Sequence, residues 1–281
     1  RLNGKTSFID FFRFYENEYS DIDFSKINLP LNLNNDTNYY KERLLELGEF
    51  NNLIPVISLK KQHKLGTYEL IDFIGSLREL NNSVAIRITD DLFDDYEETL
   101  ESILGEKDFV FLDIRDNTIA SKEIELEEFE EFTTSAKKVL LNSPRSTQYY
   151  NNQYENLAFT KLIDNEVAAR YSEFSLEGFG DFGGLKDKLP SPNGGGGNGA
   201  ALALFYLKEN NAFFSVANDS TLGLKGYQKV VNELLKYRSV LDHKNDCPAF
   251  KKISEMSGTY GNWSTWNNLT LTRYIHQQST K

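Results

Sequence analysis

The chain has 281 residues, 40% of them hydrophobic, enough to bury a large core in one domain with an appendage or in two domains. Its 42 Asp and Glu against 31 Lys and Arg give a formal net charge of −11, which excludes a general nucleic-acid surface but not a small basic pocket inside an acidic shell. Cys247 is the one cysteine, so an intrachain disulfide is excluded and a reducing cytoplasm is expected; the longest strongly apolar run, residues 200–207, is too short to cross a bilayer.

In chain order, β-rich and amphipathic stretches alternate. Residues 7–12 read as a short strand, 37–49 as a polar helix closed by Gly48, and 53–58 as a second strand. Residues 68–80 place Leu70, Ile71, Ile74 and Leu77 at helical spacing. A third strand at 83–89 precedes an acidic helix at 91–104, and a fourth at 109–114 precedes a helix at 127–136. A fifth strand at 138–142 precedes a helix near 154–162, and residues 167–171 read as the sixth strand. Beyond Asp181 the character changes. Residues 186–199 form a Gly/Pro-rich loop, 200–207 and 212–216 a hairpin, and 226–237 an amphipathic helix; the rest is a polar, aromatic tail.

Strands alternating with helices in this way are the signature of parallel βαβ units. A closed barrel takes eight strands. The expected fold is therefore a TIM-like parallel (β/α) barrel over residues 1–185, N-terminally incomplete, with two strands preceding Arg1. The loop 186–199 then leads to a C-terminal extension, 200–281, packed on the barrel. The alternative is an open doubly wound sheet, although no glycine-rich phosphate fingerprint follows any strand.

In parallel α/β folds ligands gather at the carboxy ends of the strands. The polar residues there are Asp10, Ser58, Arg87, Asp90, Asp113, Arg115, Asn142, Arg145, Arg170 and Glu173. Arginines aimed at one mouth make an anion site, because guanidinium forks match phosphate or carboxylate oxygens in pairs. Equally, each Arg pairs with a neighbouring acid as structural wiring, Arg87 with Asp113 or Arg170 with Glu173. Asp10, Asp113, Glu173 and Asp181 supply oxygen ligands of the kind that suit Mg²⁺ or Mn²⁺, or one of them, desolvated, is a general base. His63, His243 and His276 form no zinc-binding spacing, and no nucleophile elbow surrounds a serine. The run 91–101 reads as a solvated acidic face. Trp263 and Trp266, in a Gly/Asn/Ser/Thr context, either stack on a base or sugar or pin the tail to the body.

The succession of these segments resembles a family named after a phage "beta protein", found in phages and scattered through bacterial genomes. The matching order is Phe8-Ile9-Asp10, Ile54-Pro55-Val56-Ile57, Val84-Ala85-Ile86-Arg87-Ile88, Phe111-Leu112-Asp113, Arg170 and Phe179-Gly180-Asp181-Phe182. The hairpin, the segment from Gly223 to Leu235, and Gly261, Asn262 and Trp266 follow in the same order. The resemblance covers most of the chain and implies two further strands upstream. This sequence departs from the pattern at Phe182, where the family has Tyr, and at Arg273-Tyr274, where it has a His-His pair.

The family's patchy occurrence implies an anti-phage defence setting. The first expectation is a barrel mouth that binds a phosphate-bearing ligand, a nucleotide or nucleic-acid end. In its hydrolytic form, Asp113, Glu173 and Asp181 act catalytically, Asp113 and Glu173 hold the metal, and Arg87, Arg115, Arg170, Asp10 and Trp266 contact the ligand. The second is a non-catalytic sensor or scaffold for a partner protein encoded in the same locus, alone or as an oligomer.

Overall fold

The computed structural model describes residues 4–19, 23–24, 27–189, 200–218 and 222–279. Most of the expected glycine-rich loop, residues 190–199, lies outside the described residues.

In chain order the elements are β1 (Ser7–Asp10), α1 (Asn28–Asn35), α2 (Thr37–Leu45), β2 (Leu53–Leu59), α3 (Thr67–Leu80), β3 (Ala85–Thr89), α4 (Glu97–Ile103), β4 (Phe109–Asp113), α5 (Glu123–Glu131) and β5 (Lys137–Leu141). They continue as β6 (Ala158–Phe159), α6 (Glu166–Arg170), β7 (Gly178–Gly180), β8 (Leu202–Leu207), β9 (Ala212–Ala217), α7 (Gly226–Lys236), α8 (Arg238–Leu241), α9 (Pro248–Ser254) and α10 (Trp263–Ser279).

Six strands form one sheet in the order β1-β2-β3-β4-β5-β7, curled into a half-barrel consistent with an incomplete barrel. The pairings from β1 to β5 are parallel. On the last edge Glu177 N donates to Lys138 O and Asn142 N to Gly180 O, both 2.9 Å, so the two strands also run the same way. Register follows from side-chain alternation. Ile54, Val56, Ala85 and Phe111 share one face as an apolar cluster, with Phe109, Val139 and Leu141 packed against it. Ile57, Leu59, Ile86, Ile88, Val110, Leu112 and Leu140, on the opposite face, are fully buried. The intervening helices bury matching stripes: Leu70, Ile74 and Leu77 of α3, Leu100 of α4, and Leu126 and Phe129 of α5.

The chain folds as two compact units. The first is Arg1–Arg115, Ile119–Leu141 and Tyr171–Phe179; the second is Asp116–Thr118, Asn142–Arg170 and Gly180–Lys281. The second unit thus takes residues 142–170 from the stretch expected to complete the barrel. It contains the antiparallel sheet β6-β9-β8, with α7, α9 and α10 burying Tyr227, Val230, Val231, Leu234, Phe250, Ile253 and Trp266 in its core.

Several expectations change here. Residues 167–171 are not the sixth strand: Glu166 N bonds the Asp164 carboxylate at 2.9 Å, Arg170 pairs with Glu166 at 3.5 Å, and the alanines between favour α6. The sixth strand is the short β7 instead. The helix expected near 154–162 is a loop carrying β6, whose Ala158 and Phe159 pair with Ser215 and Phe214. The acidic helix begins at Glu97 and α5 at Glu123, before the expected 127. The tail is largely the 17-residue α10, started by Asn262, whose Oδ1 accepts from Thr265 N at 3.0 Å. Among the described residues no helix is long and apolar enough to cross a membrane.

Gly184 sets the close packing of the second unit. Its φ is +82°, and a Cβ there would lie 2.6 Å from Phe213 Cε1 and Cζ. Gly184→Ala is expected to destabilise the unit by about 2–3 kcal/mol through left-handed strain and overlap. Both tryptophans lie in this unit, so their fluorescence on urea unfolding reports it; an unchanged midpoint contradicts the packing described.

Candidate functional site

The carboxy ends of β1 to β4 hold a buried ionic network. Arg87 projects from the face of β3 that carries Ala85, in register with Ser58 and Phe111. Its Nη1 donates to Asp10 Oδ2 at 2.7 Å, while Nε and Nη2 donate to Asp113 Oδ2 at 2.9 and 2.6 Å. Ser58 Oγ donates to Asp10 Oδ1 at 2.6 Å, and Arg115 N to Asp113 Oδ1 at 2.9 Å. Tyr40 locks β2 beneath it, donating to Val56 O at 3.2 Å and accepting from Ser58 N at 2.9 Å. Arg87 is 6% exposed and Asp113 1%. Arg87 follows the structural-wiring alternative, with both of its outer edges holding carboxylates. Asp113 has both oxygens engaged, Oδ2 by Arg87 and Oδ1 by Arg115 N.

Arg115 lies two residues further along and has φ +59°, a left-handed conformation that is rare outside glycine and marks a constrained turn after β4. Its Nη2 bonds Asp90 Oδ1 at 2.7 Å, and Lys122 Nζ reaches Asp90 Oδ2 at 2.5 Å. Asp90 is thus a buried acid between two cations. The Asp90 hydrogen bond, followed by that of Glu125, raises the Lys122 pKa.

Of the remaining expected site residues, Glu173 belongs to the first unit and Arg170, Asp181 and Trp266 to the second. Arg170 closes α6 against Glu166, and Glu173 is exposed on the turn Tyr171–Phe174. Of the two expected metal ligands, Asp113 is buried and Glu173 exposed. No group of three His, Cys, Asp or Glu side chains converges as a metal centre among those residues. Trp266 is 1% exposed, stacked on Tyr227 at 5.1 Å with Nε1 donating to Tyr260 O at 2.9 Å. Of the two roles considered for it, the pinning role matches; its faces are closed to a base or sugar. Arg145 donates to Tyr154 Oη and to Gly184 O, each at 3.1 Å.

Asp181 is 5% exposed in the second unit. Oδ1 accepts from Gly183 N at 3.1 Å, and Oδ2 accepts from the Tyr274 hydroxyl, which in turn accepts from Gln278 Nε2 at 3.1 Å. Burial raises its pKa above the usual carboxylate range, opposed by the Tyr274 and Gly183 hydrogen bonds. Tyr274, one of the departures from the family pattern, is the partner of this acid. Its neighbour Arg273 is buried with Nε on Tyr206 O at 3.0 Å.

The loops after β1 and β2 hold a cavity of about 530 Å³ that strand-end residues alone do not reveal. Arg13, Asn34, Thr37, Gln62, His63 and Lys64 are among its lining. His63 Nε2 lies 3.2 Å from Phe14 O, so this nitrogen carries the ring proton; burial, then Arg13 and Lys60, lowers the pKa. Lys60 Nζ donates to Arg13 O at 2.8 Å. The signal was present as the run Lys60-Lys61-Gln62-His63-Lys64 directly after β2 and as Arg13, three residues past Asp10. In the second unit a larger cavity, about 900 Å³, has mixed lining that includes Lys229, Glu233 and Lys236.

Comparison with known proteins finds no matching family model, no matching curated protein and no matching solved structure.

The raised pKa of Asp181 has a defined sign. The folded state holds its proton more tightly than the unfolded chain, so this contribution to stability is full below the ordinary carboxylate pKa and is lost as pH rises through the raised value. Asp181→Asn is expected to flatten that part of the pH dependence in tryptophan-detected unfolding of the second unit. Parallel pH profiles for wild type and variant would show that the acid is not held this way.

Proposed function

We propose that the carboxy-terminal end of the half-barrel sheet recognises a phosphate-bearing ligand, a nucleotide or a nucleic-acid end. One observation carries the reading: Arg13, Lys60, Lys61, His63 and Lys64 cluster on the two loops that leave β1 and β2, in a chain of net charge −11. That is the end of a parallel sheet where ligands bind. Lys61 and Lys64 pair with Asp91 and Asp95 at 3.1 and 2.8 Å, but the cations are largely exposed, so these pairs are weak and exchangeable for ligand oxygens. The TIM-like barrel with two further strands, implied by the resemblance, belongs to this proposal.

The reading is recognition, with hydrolysis demoted. A metal on Asp113 would have to share a carboxylate whose Oδ2 is held twice by Arg87 and whose Oδ1 accepts from Arg115 N. A second reading, a sensor or scaffold for a partner protein encoded beside it, is favoured by the β1 edge. Phe8 there is 43% exposed although its ring meets Phe109 and Phe111 at 4.8 and 5.0 Å.

Titration calorimetry of the full chain with short oligonucleotides, with and without a 5′-phosphate and at two salt concentrations, separates the readings. Phosphate-dependent heat that weakens with salt is expected. Heat that is absent, or indifferent to the phosphate, sinks the ligand reading; co-elution of a locus-encoded protein then favours the scaffold.

A further inference from the structure

We infer that the cavity between the β1 and β2 loops is a site for a terminal phosphate, a phosphate monoester such as that of a nucleoside 5′-monophosphate, with Arg13 as its principal ligand. The inference rests on the recognition reading and names the pocket and the ester class.

The arginines divide by partner. Arg43, Arg78, Arg87, Arg115, Arg170 and Arg238 each pair with at least one carboxylate. Arg13, Arg145 and Arg273 have none among the described residues. Arg145 is satisfied by the Tyr154 hydroxyl, the Gly184 carbonyl and the Asn151 amide oxygen, and Arg273 by the carbonyls of Tyr206 and Leu241. Arg13 is different. It is 3% exposed, its Nη2 makes one long bond to Asn34 O at 3.3 Å, and its buried Nε has no acceptor among the described residues.

Burying a cation without a counter-charge is costly, and a donor left without an acceptor adds to the cost. Tyr40 offsets part of it, as a neutral side-chain hydrogen-bond partner and with its ring 4.2 Å from the Arg13 guanidinium carbon, but it supplies no negative charge. Asp10 is the acid whose field Arg13 feels, but its oxygens are held by Arg87 and Ser58. An oxyanion in the cavity supplies both missing things, a negative charge and an acceptor. The local field agrees: His63 feels Arg13 and Lys60 as repulsive neighbours. With Nε2 committed to Phe14 O, His63 gains an Nδ1 donor when an anion draws a proton onto the ring.

The wall is not purely basic. Glu16 lines the cavity too, its Oε1 accepting from Asn35 Nδ2 at 2.5 Å, and the N-terminus of α2 is taken by the Asp36 carboxylate. One doubly charged group therefore fits better than a run of charges. Geometry argues the same way. A guanidinium buried this deeply is reached by the end of a ligand, whereas a phosphodiester must carry chain away on both sides.

The test is calorimetry of the full chain with a nucleoside 5′-monophosphate, with inorganic phosphate and with the matching dinucleoside phosphodiester. Wild type, Arg13→Gln, His63→Gln and, as a control in the second unit, Lys229→Gln are compared, with circular dichroism verifying each fold. Expected are monophosphate binding stronger than diester binding, loss of about 30-fold in Arg13→Gln from a charged hydrogen bond removed, a smaller loss in His63→Gln, and none in the control. If Arg13→Gln does not fold, ¹H–¹⁵N spectra of wild type decide: monophosphate must perturb the His63 ring and Arg13 side-chain signals. Monophosphate binding that ignores both substitutions, or leaves those signals still, overturns this pocket while the recognition reading stands. Equal affinity for the diester overturns the ester class. No binding of any of the three ligands overturns both.

Discussion

The half-barrel is organised around a single guanidinium. Arg87 stands on β3, takes Asp113 from the neighbouring β4 and reaches across β2 to Asp10 on β1, with Ser58 bridging underneath. Four strands of the sheet thus converge on one ionic knot at their carboxy ends. In a buried setting the desolvation of three charges is compensated only while every partner is present. The same facts explain why this knot is a poor ligand site. Its oxygens and guanidinium edges are already occupied, so chemistry directed at an incoming anion falls to the next layer outward, on the loops.

That layer differs in one respect from the rest of the molecule. Acids outnumber cations along the chain, and most arginines find one. Among the described residues Arg13 has neither a carboxylate nor the full set of neutral acceptors that Arg145 and Arg273 have, and it sits where the first two strands hand over to their loops. A strand framework pinned by Arg87, Asp10 and Asp113 and a deep cation one layer above it form a coherent arrangement: the first holds the geometry, the second is left electrostatically incomplete. In the second unit the buried acid Asp181 is the converse case, a carboxyl held by a tyrosine hydroxyl rather than a cation.

Much of this was legible in the amino-acid sequence, for identifiable reasons. The first five strands and the β8–β9 hairpin are dense apolar runs flanked by polar breaks, and α3 and α7 have clean helical periodicity. The Arg87–Asp113 pairing was one of two readings that strand ends allow. The sixth strand was misplaced because β7 is three residues with two glycines, whereas the neighbouring Val-Ala-Ala-Arg run has apolar content without strand length. The long α10 was hidden because its buried stripe, Trp266, Leu269, Thr270, Arg273 and Tyr274, has correct helical spacing but includes a threonine and an arginine. Arg13 was missed because it stands past the strand end, and its missing counter-charge is a property of three-dimensional surroundings.

The central claim is that Arg87 and Asp113 are energetically coupled and hold the carboxy end of the sheet together. A double-mutant cycle of Arg87→Met and Asp113→Leu, read by native-state hydrogen exchange of the β3 and β4 amides, tests it directly. Each single change is expected to cost about 3–5 kcal/mol, and the double far less than their sum, a coupling of at least about 2 kcal/mol. Additive losses, or single variants as stable as wild type, would contradict the account.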